Sequence, residues 1–205
     1  FQEVGHVLPD ALFKDLPRVW AGSDYVAEQF IRDAGLGDWL NGDALKRRLD
    51  PAGLGEELGQ AVMACDDEDA LKATLRRLRH RHMVRLIWRD LTGLADYHAT
   101  VADLSMLADT LIATALERLY QWGCERNGTP RDEQGRPVKL VVLAMGKLGA
   151  RELNLSSDID LIFAYEDEGE IEGERRNLTH HQFFLRLGQQ LIKALDQSTG
   201  DGFVF

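Results

Sequence analysis

The sequence predicts an α+β fold: a largely helical part over residues 1–135, then a mixed sheet with covering helices over 136–205. Two observations carry this. Apolar residues recur at three- and four-residue intervals, most clearly Leu104, Leu107, Ala108, Leu111, Ile112, Ala115, Leu116 and Leu119, the period of a buried helix face. After Pro137 that period gives way to short apolar runs bounded by Gly, Asp and Ser, the pattern of strands and turns. The polar stretch 131–137 lies between the two patterns and marks the boundary.

Taken in order, Ser23 or Asp24 caps a helix running to Ala34, which Gly35 and Gly37 end. A second helix is expected over 54–64. Asp66, Asp67, Glu68 and Asp69 stand where a helix N-terminus favours negative charge, and the helix after them reaches Thr92, with Gly93 at its end. The next helix covers 101–122 and stops at Gly123 and Gly128. Beyond the boundary, 138–142 and 161–163 read as strands, 166–176 as an acidic loop and 179–196 as a helix. That helix turns Phe183, Phe184, Leu187, Leu191, Ile192 and Leu195 inward. Gly200, Asp201 and Gly202 form a turn before a strand at 203–205.

Apolar content of 44% and charged content of 28% are those of a soluble globular protein. The net charge of -10 argues against a general nucleic-acid binder. No run of ~20 uninterrupted apolar residues points to a membrane span. Cys65 and Cys124 stand far apart and read as reduced thiols of a cytoplasmic protein. Phe1 is not Met, and an apolar strand runs up to Phe205, so the sequence reads as a piece of a longer protein.

The most informative stretch is 145–163, MGKLGARELNLSSDIDLIF. Side chains alternate across a strand, which puts Asp158 and Asp160 on one face and Ile159, Leu161 and Phe163 on the other. Paired carboxylates repel unless a cation lies between them. Metal-dependent phosphoryl or nucleotidyl transfer needs such a pair, holding one or two Mg²⁺ ions roughly 3.5–4 Å apart. Gly146 and Lys147 form a turn whose backbone N–H groups can approach a phosphate, and Ser157 is placed to hydrogen-bond one. Arg151 and Glu152 read as a local pair or a helix cap.

A Gly turn followed by Asp-apolar-Asp-apolar resembles the nucleotidyltransferase superfamily of the DNA polymerase beta type. Many members have Gly-Ser or Gly-Gly where this chain has Gly146-Lys147. The wording Met-Gly-Lys-Leu-Gly, Arg-Glu-Leu-Asn and Ser-Ser-Asp-Ile-Asp-Leu-Ile-Phe is closer still. It resembles the bifunctional glutamine synthetase adenylyltransferase/adenylyl-removing enzymes, and their N-terminal, adenylyl-removing half in particular. The arginine-rich run 76–91 and the segment 195–205 agree, and Ala144 and Ala150 replace glycines often found there.

The resemblance implies Mg²⁺, with Mn²⁺ as a substitute, held by Asp158 and Asp160. It implies phosphorolysis of the AMP–tyrosine bond on glutamine synthetase, with phosphate as co-substrate, ADP as product and a PII signalling protein as regulator. The alternatives are AMP transfer from ATP onto glutamine synthetase by the same fold, or a non-catalytic docking module. In the family a third carboxylate lies just past the segment matching 203–205, so this chain is expected to hold half of the metal site. Arg85 and Arg89, four residues apart inside the apolar run 83–91, need an anionic partner: a carboxylate of the sheet part, making a structural interface, or phosphate. The structural role is the expected one. His80, His82, His180 and His181 lack a metal-binding spacing.

Overall fold

The computed structural model describes residues 10–41, 43–171, 178–196 and Val204. In chain order the elements are α1 (Asp10–Phe13), α2 (Leu16–Gly22), α3 (Asp24–Arg32), α4 (Leu36–Leu40), α5 (Asp43–Lys46), α6 (Pro51–Met63), α7 (Glu68–Leu91) and α8 (Tyr97–Asn127). Then come β1 (Val141–Ala144), α9 (Gly146–Gly149), β2 (Leu161–Ala164), β3 (Glu170–Ile171), β4 (Leu178–Thr179) and α10 (His180–Asp196). This is the mostly helical α+β class expected.

Local chemistry sets the helix starts. Ser23 accepts the Val26 amide, Asp50 that of Gly53, Asp67 that of Ala70 and Asp96 that of Ala99. Each cap satisfies an amide that the first helical turn leaves unpaired, for about 1 kcal/mol. The Asp96 cap begins α8 at Tyr97, before the expected start at Val101. By length and composition α8 is the one described helix that could cross a membrane, yet most of its apolar window is buried inside the protein.

One apolar cluster joins α6, α7 and α8 to α10, Leu148 and Leu153, and so draws on both sides of residue 135. A second packs α1 to α5 against Val84, Ile87 and Trp88 of α7. Helix α7 therefore lies between two cores, and residues 82–89 are buried on every side of it. That burial decides the fate of its arginines. Arg85 donates to the carbonyls of Ala44 and Arg47, and Arg89 to those of Leu45 and Leu94. The expected role is structural, and so it is, but the acceptors are backbone carbonyls rather than the expected carboxylate of the sheet part. The guanidinium groups instead satisfy carbonyls in and just after α5, and in the turn after α7, which helix ends leave without a donor.

The sheet differs from the expectation in three ways. Among the described residues the strand pairs are antiparallel, not mixed: β1 with β2, and β3 with β4. Strand β1 begins at Val141 rather than Val138. The Val138 amide goes to Pro130 and its carbonyl to the Tyr120 hydroxyl, so its backbone groups are taken by the preceding loop. The acidic segment expected as loop contains β3, which meets β4 immediately before α10. The turn expected at 200–202 lies outside the described residues. Of the strand expected at 203–205 only Val204 is described; it is fully buried, and its amide bonds the Leu195 carbonyl.

Candidate active site

The site forms where β1 turns back toward β2. Asp158 and Asp160 stand just before β2 rather than within it, yet the alternation holds. Asp158, Asp160 and Ile162 are exposed, while Ile159, Leu161 and Phe163 are half-buried. The Met145 amide donates to the Asp160 carbonyl at 2.9 Å, which continues the β1–β2 ladder one step and fixes Asp160 beside the turn.

Gly146 then bends the chain with φ +54°, a region that L side chains enter at a cost. A Cβ there would stand 3.6 Å from Asp160 Oδ2, so the glycine and the carboxylate lie side by side. Gly149 is needed for another reason: a Cβ on it would overlap the Ala144 carbonyl oxygen. Arg151 has φ +60°, the one non-glycine in the left-handed region among the described residues, and marks strain in the same loop.

The loop is anchored from below. Leu148 and Leu153 are buried, and the Leu153 amide donates to the buried Ser105 hydroxyl of α8 at 3.1 Å. Ser105 in turn donates to the Val101 carbonyl. Asn154 organises the upper side. Its Oδ1 accepts the Ser156 amide, a side-chain turn of the Asx type, and the Ser157 hydroxyl at 2.6 Å. Lys147 Nζ lies 3.2 Å from that hydroxyl. Two residues singled out in the sequence, Lys147 and Ser157, are thus brought together. Ser157 directs its one proton to Asn154, while the exposed ammonium of Lys147 keeps further donors for an anion.

Asp158 and Asp160 open onto a cleft of about 330 Å³ whose opposite wall is the C-terminal part of α10, with Ile192, Leu195 and Asp196. Ile192 was expected in the core; it is half exposed and lines this cleft instead. Beside the carboxylates the open face of the sheet is apolar, with Val141, Leu143, Met145 and Ile162 each 43–50% exposed. Among the described residues no three His, Cys, Asp or Glu side chains are grouped to hold a metal. The pair Asp158 and Asp160 still suits Mg²⁺, a hard cation that often takes one or two carboxylates and completes its shell with water and phosphate oxygens.

Asn154 lies within the motif, and the signal that could have given it a role is local: Asn two residues before a serine is a turn signature. Ser105 and Asp196 leave no such trace, since only packing brings them to the site.

The profile of the family described as glutamate-ammonia ligase adenylyltransferase matches residues 13–205. Relatives named bifunctional glutamine synthetase adenylyltransferase/adenylyl-removing enzyme are similar along nearly the whole chain. The one from Pseudomonas aeruginosa is 50% identical over 199 residues, which is 96% of this chain and 20% of the relative. The one from Pseudomonas syringae pv. tomato is 49% identical over 199 residues, 96% of this chain and 20% of the relative. The one from Shewanella loihica is 44% identical over 194 residues, 94% of this chain and 20% of the relative. The chain spans about a fifth of the length of these relatives.

Proposed function

The chain belongs to the glutamate-ammonia ligase adenylyltransferase family, and from that premise we propose that it removes AMP from the adenylylated tyrosine of glutamine synthetase by phosphorolysis. The observation that carries this reading is the placement of Asp160 against the Gly146 turn, with Asp158 on the same exposed side. A carboxylate pair beside a backbone turn open to phosphate suits nucleotidyl chemistry. The likeness of 145–163 to the adenylyl-removing half of the family supplies the direction.

A phosphate oxygen forms a bond to the AMP phosphorus as the bond from that phosphorus to the tyrosine oxygen breaks. ADP departs, and the proton that the attacking hydrogen phosphate gives up is balanced by the one the tyrosine oxygen takes up, relayed through water. Asp158 and Asp160 would hold Mg²⁺, or Mn²⁺ in its place, and the ion would supply charge to offset the repulsion between phosphate and phosphodiester and to stabilise the leaving oxygen. Gly146 allows the backbone close to the phosphate, and Lys147 adds a cation there. Ser157, held by Asn154, keeps the lysine in place. The apolar face of Val141, Leu143, Met145 and Ile162 suits the flat adenine and phenol rings. A helical part over 1–135 supports a nucleotidyltransferase part over 136–205, in a cytoplasmic enzyme regulated by a PII signalling protein.

The test is phosphate-dependent release of ADP from adenylylated glutamine synthetase, on this chain and on one extended past residue 205 to include the third carboxylate. D158N and D160N should each abolish it with an unchanged melt, because both carboxylates are exposed. AMP transfer from ATP onto unmodified glutamine synthetase, without phosphate-dependent ADP release, would assign the opposite direction and overturn the proposal.

A further inference from the structure

We propose that the cleft between α3 and α7 binds a small phosphorylated anion, at a site separate from the carboxylate cleft. The arginines of α7 divide between two roles. Arg85 and Arg89 are consumed by backbone carbonyls. Arg76, Arg77, His80 and Arg81, one helical turn apart in pairs, instead line a cleft of about 460 Å³ together with Arg32 of α3. That volume is in the range of small-molecule sites. It shares no lining residue with the cleft of Asp158 and Asp160.

The charge of this cleft runs against that of the molecule. The chain carries a net charge of -10, yet four arginines and a histidine here face one carboxylate, Asp33. Asp33 is already engaged: it holds Arg81 at 2.8 Å and accepts the Gly35 amide at 3.0 Å. Among the described residues no carboxylate lies at ion-pair distance from Arg32 or Arg77, and both are exposed at the rim. Arg76, 2% exposed, is held in the wall by contacts of its own, so the lining is not a set of free side chains.

A solvated arginine face on a single helix is convex and sheds its charge into water. Here a second helix closes over it, and a concave wall of net positive charge concentrates the potential on whatever enters. Planar guanidinium groups converging from two helices match the oxygens of a phosphoryl group better than a lone carboxylate, which offers fewer acceptors and less charge.

Calorimetric titration with inorganic pyrophosphate and with ADP tests this, in physiological salt, without divalent cation and in the K147A background, so that the carboxylate cleft has neither metal nor lysine to hold a phosphate. One saturable site is expected. Replacing the two exposed arginines, R32A/R77A, should weaken it roughly ten-fold or more, since each charge-assisted hydrogen bond is worth over a factor of ten. R77K, which keeps the charge and loses the fork, should fall between. A melt of R32A/R77A reports folding. Binding of both probes supports recognition of the phosphoryl group itself, and binding of one supports the site and identifies the source. No saturable binding, or binding that R32A/R77A leaves unchanged in a folded protein, overturns the proposal.

Discussion

The hydroxyl of Ser105 accepts the amide of Leu153 at 3.1 Å, across 48 residues of sequence, and through it α8 holds the loop that carries Lys147, Asn154 and Ser157. Both groups are buried, so water cannot replace the bond. Ser105→Ala should cost about 1–3 kcal/mol, the penalty for a buried donor left unsatisfied. A thermal melt reads the stability loss. Turnover should fall by more than the melt explains at a temperature where the variant is folded, because the loop loses its support. An unchanged melt would mean that the anchor is dispensable.

Two glycines of the same loop should respond differently. Gly149→Ala drives a methyl group into the Ala144 carbonyl, a backbone atom that cannot swing aside, and about 1–3 kcal/mol of overpacking follows. Gly146→Ala pays the left-handed conformation, roughly 1–2 kcal/mol, and meets Asp160 only at an ordinary contact distance. The melt of Gly149→Ala should be the lower of the two. Activity should suffer at Gly146 as well, since its new methyl stands against a proposed metal carboxylate.

Arg89→Ala should destabilise the protein. It leaves the Leu45 and Leu94 carbonyls without their donor, and each lost bond to a charged group is worth about 1.5–3 kcal/mol. Relief of repulsion from Arg85 offsets part of this; burial and then the Arg89 charge both depress the Arg85 pKa. A drop in Tm of at least roughly 5 °C is expected. Arg89→Lys should not rescue it, because one ammonium cannot span two carbonyls as a planar fork does. A higher Tm in Arg89→Ala would contradict the structural role.

Asp103 supplies a pH test. It is buried on α8, with Oδ2 unsatisfied. Burial raises its pKa, and the charges of Arg48, Arg85 and Arg89 only partly counter this. An acid whose pKa is raised on folding binds protons more tightly when folded. Its contribution to stability is fully present below the unfolded carboxylate pKa of roughly 3.9 and is lost as pH rises through the higher folded value. Asp103→Asn removes that loss. Its melting temperature should match the wild type near pH 3.5 and exceed it at pH 7. Equal temperatures at both pH values would show that the arginines offset the burial in full.

Helix starts were readable because capping acts within three residues. Ser23 and Asp67 accept the amides that their positions in the sequence announce. Helix α10 begins one residue from its expected start, as its apolar period implies. The exposed and buried alternation from Asp158 to Phe163 was likewise readable, because it follows from backbone geometry alone. The start of β1 was not, because Val138 is apolar like a strand residue. Its backbone partners are the Pro130 carbonyl and the Tyr120 hydroxyl, which only the folded loop brings near.

Composition and periodicity therefore determined the helical class, the caps and the shared face of Asp158 and Asp160, all set by interactions a few residues long. Tertiary structure decided the rest. The arginines of α7 have one chemistry in the sequence, yet packing sends Arg85 and Arg89 to the carbonyls of a segment some forty residues away. It leaves Arg76, Arg77 and Arg81 on a cleft beside α3. It also places Asp196 across from Asp158 and hangs the Leu153 amide on Ser105. A buried charge or amide must find a partner, but which one it finds depends on which distant backbone the core brings within hydrogen-bond reach.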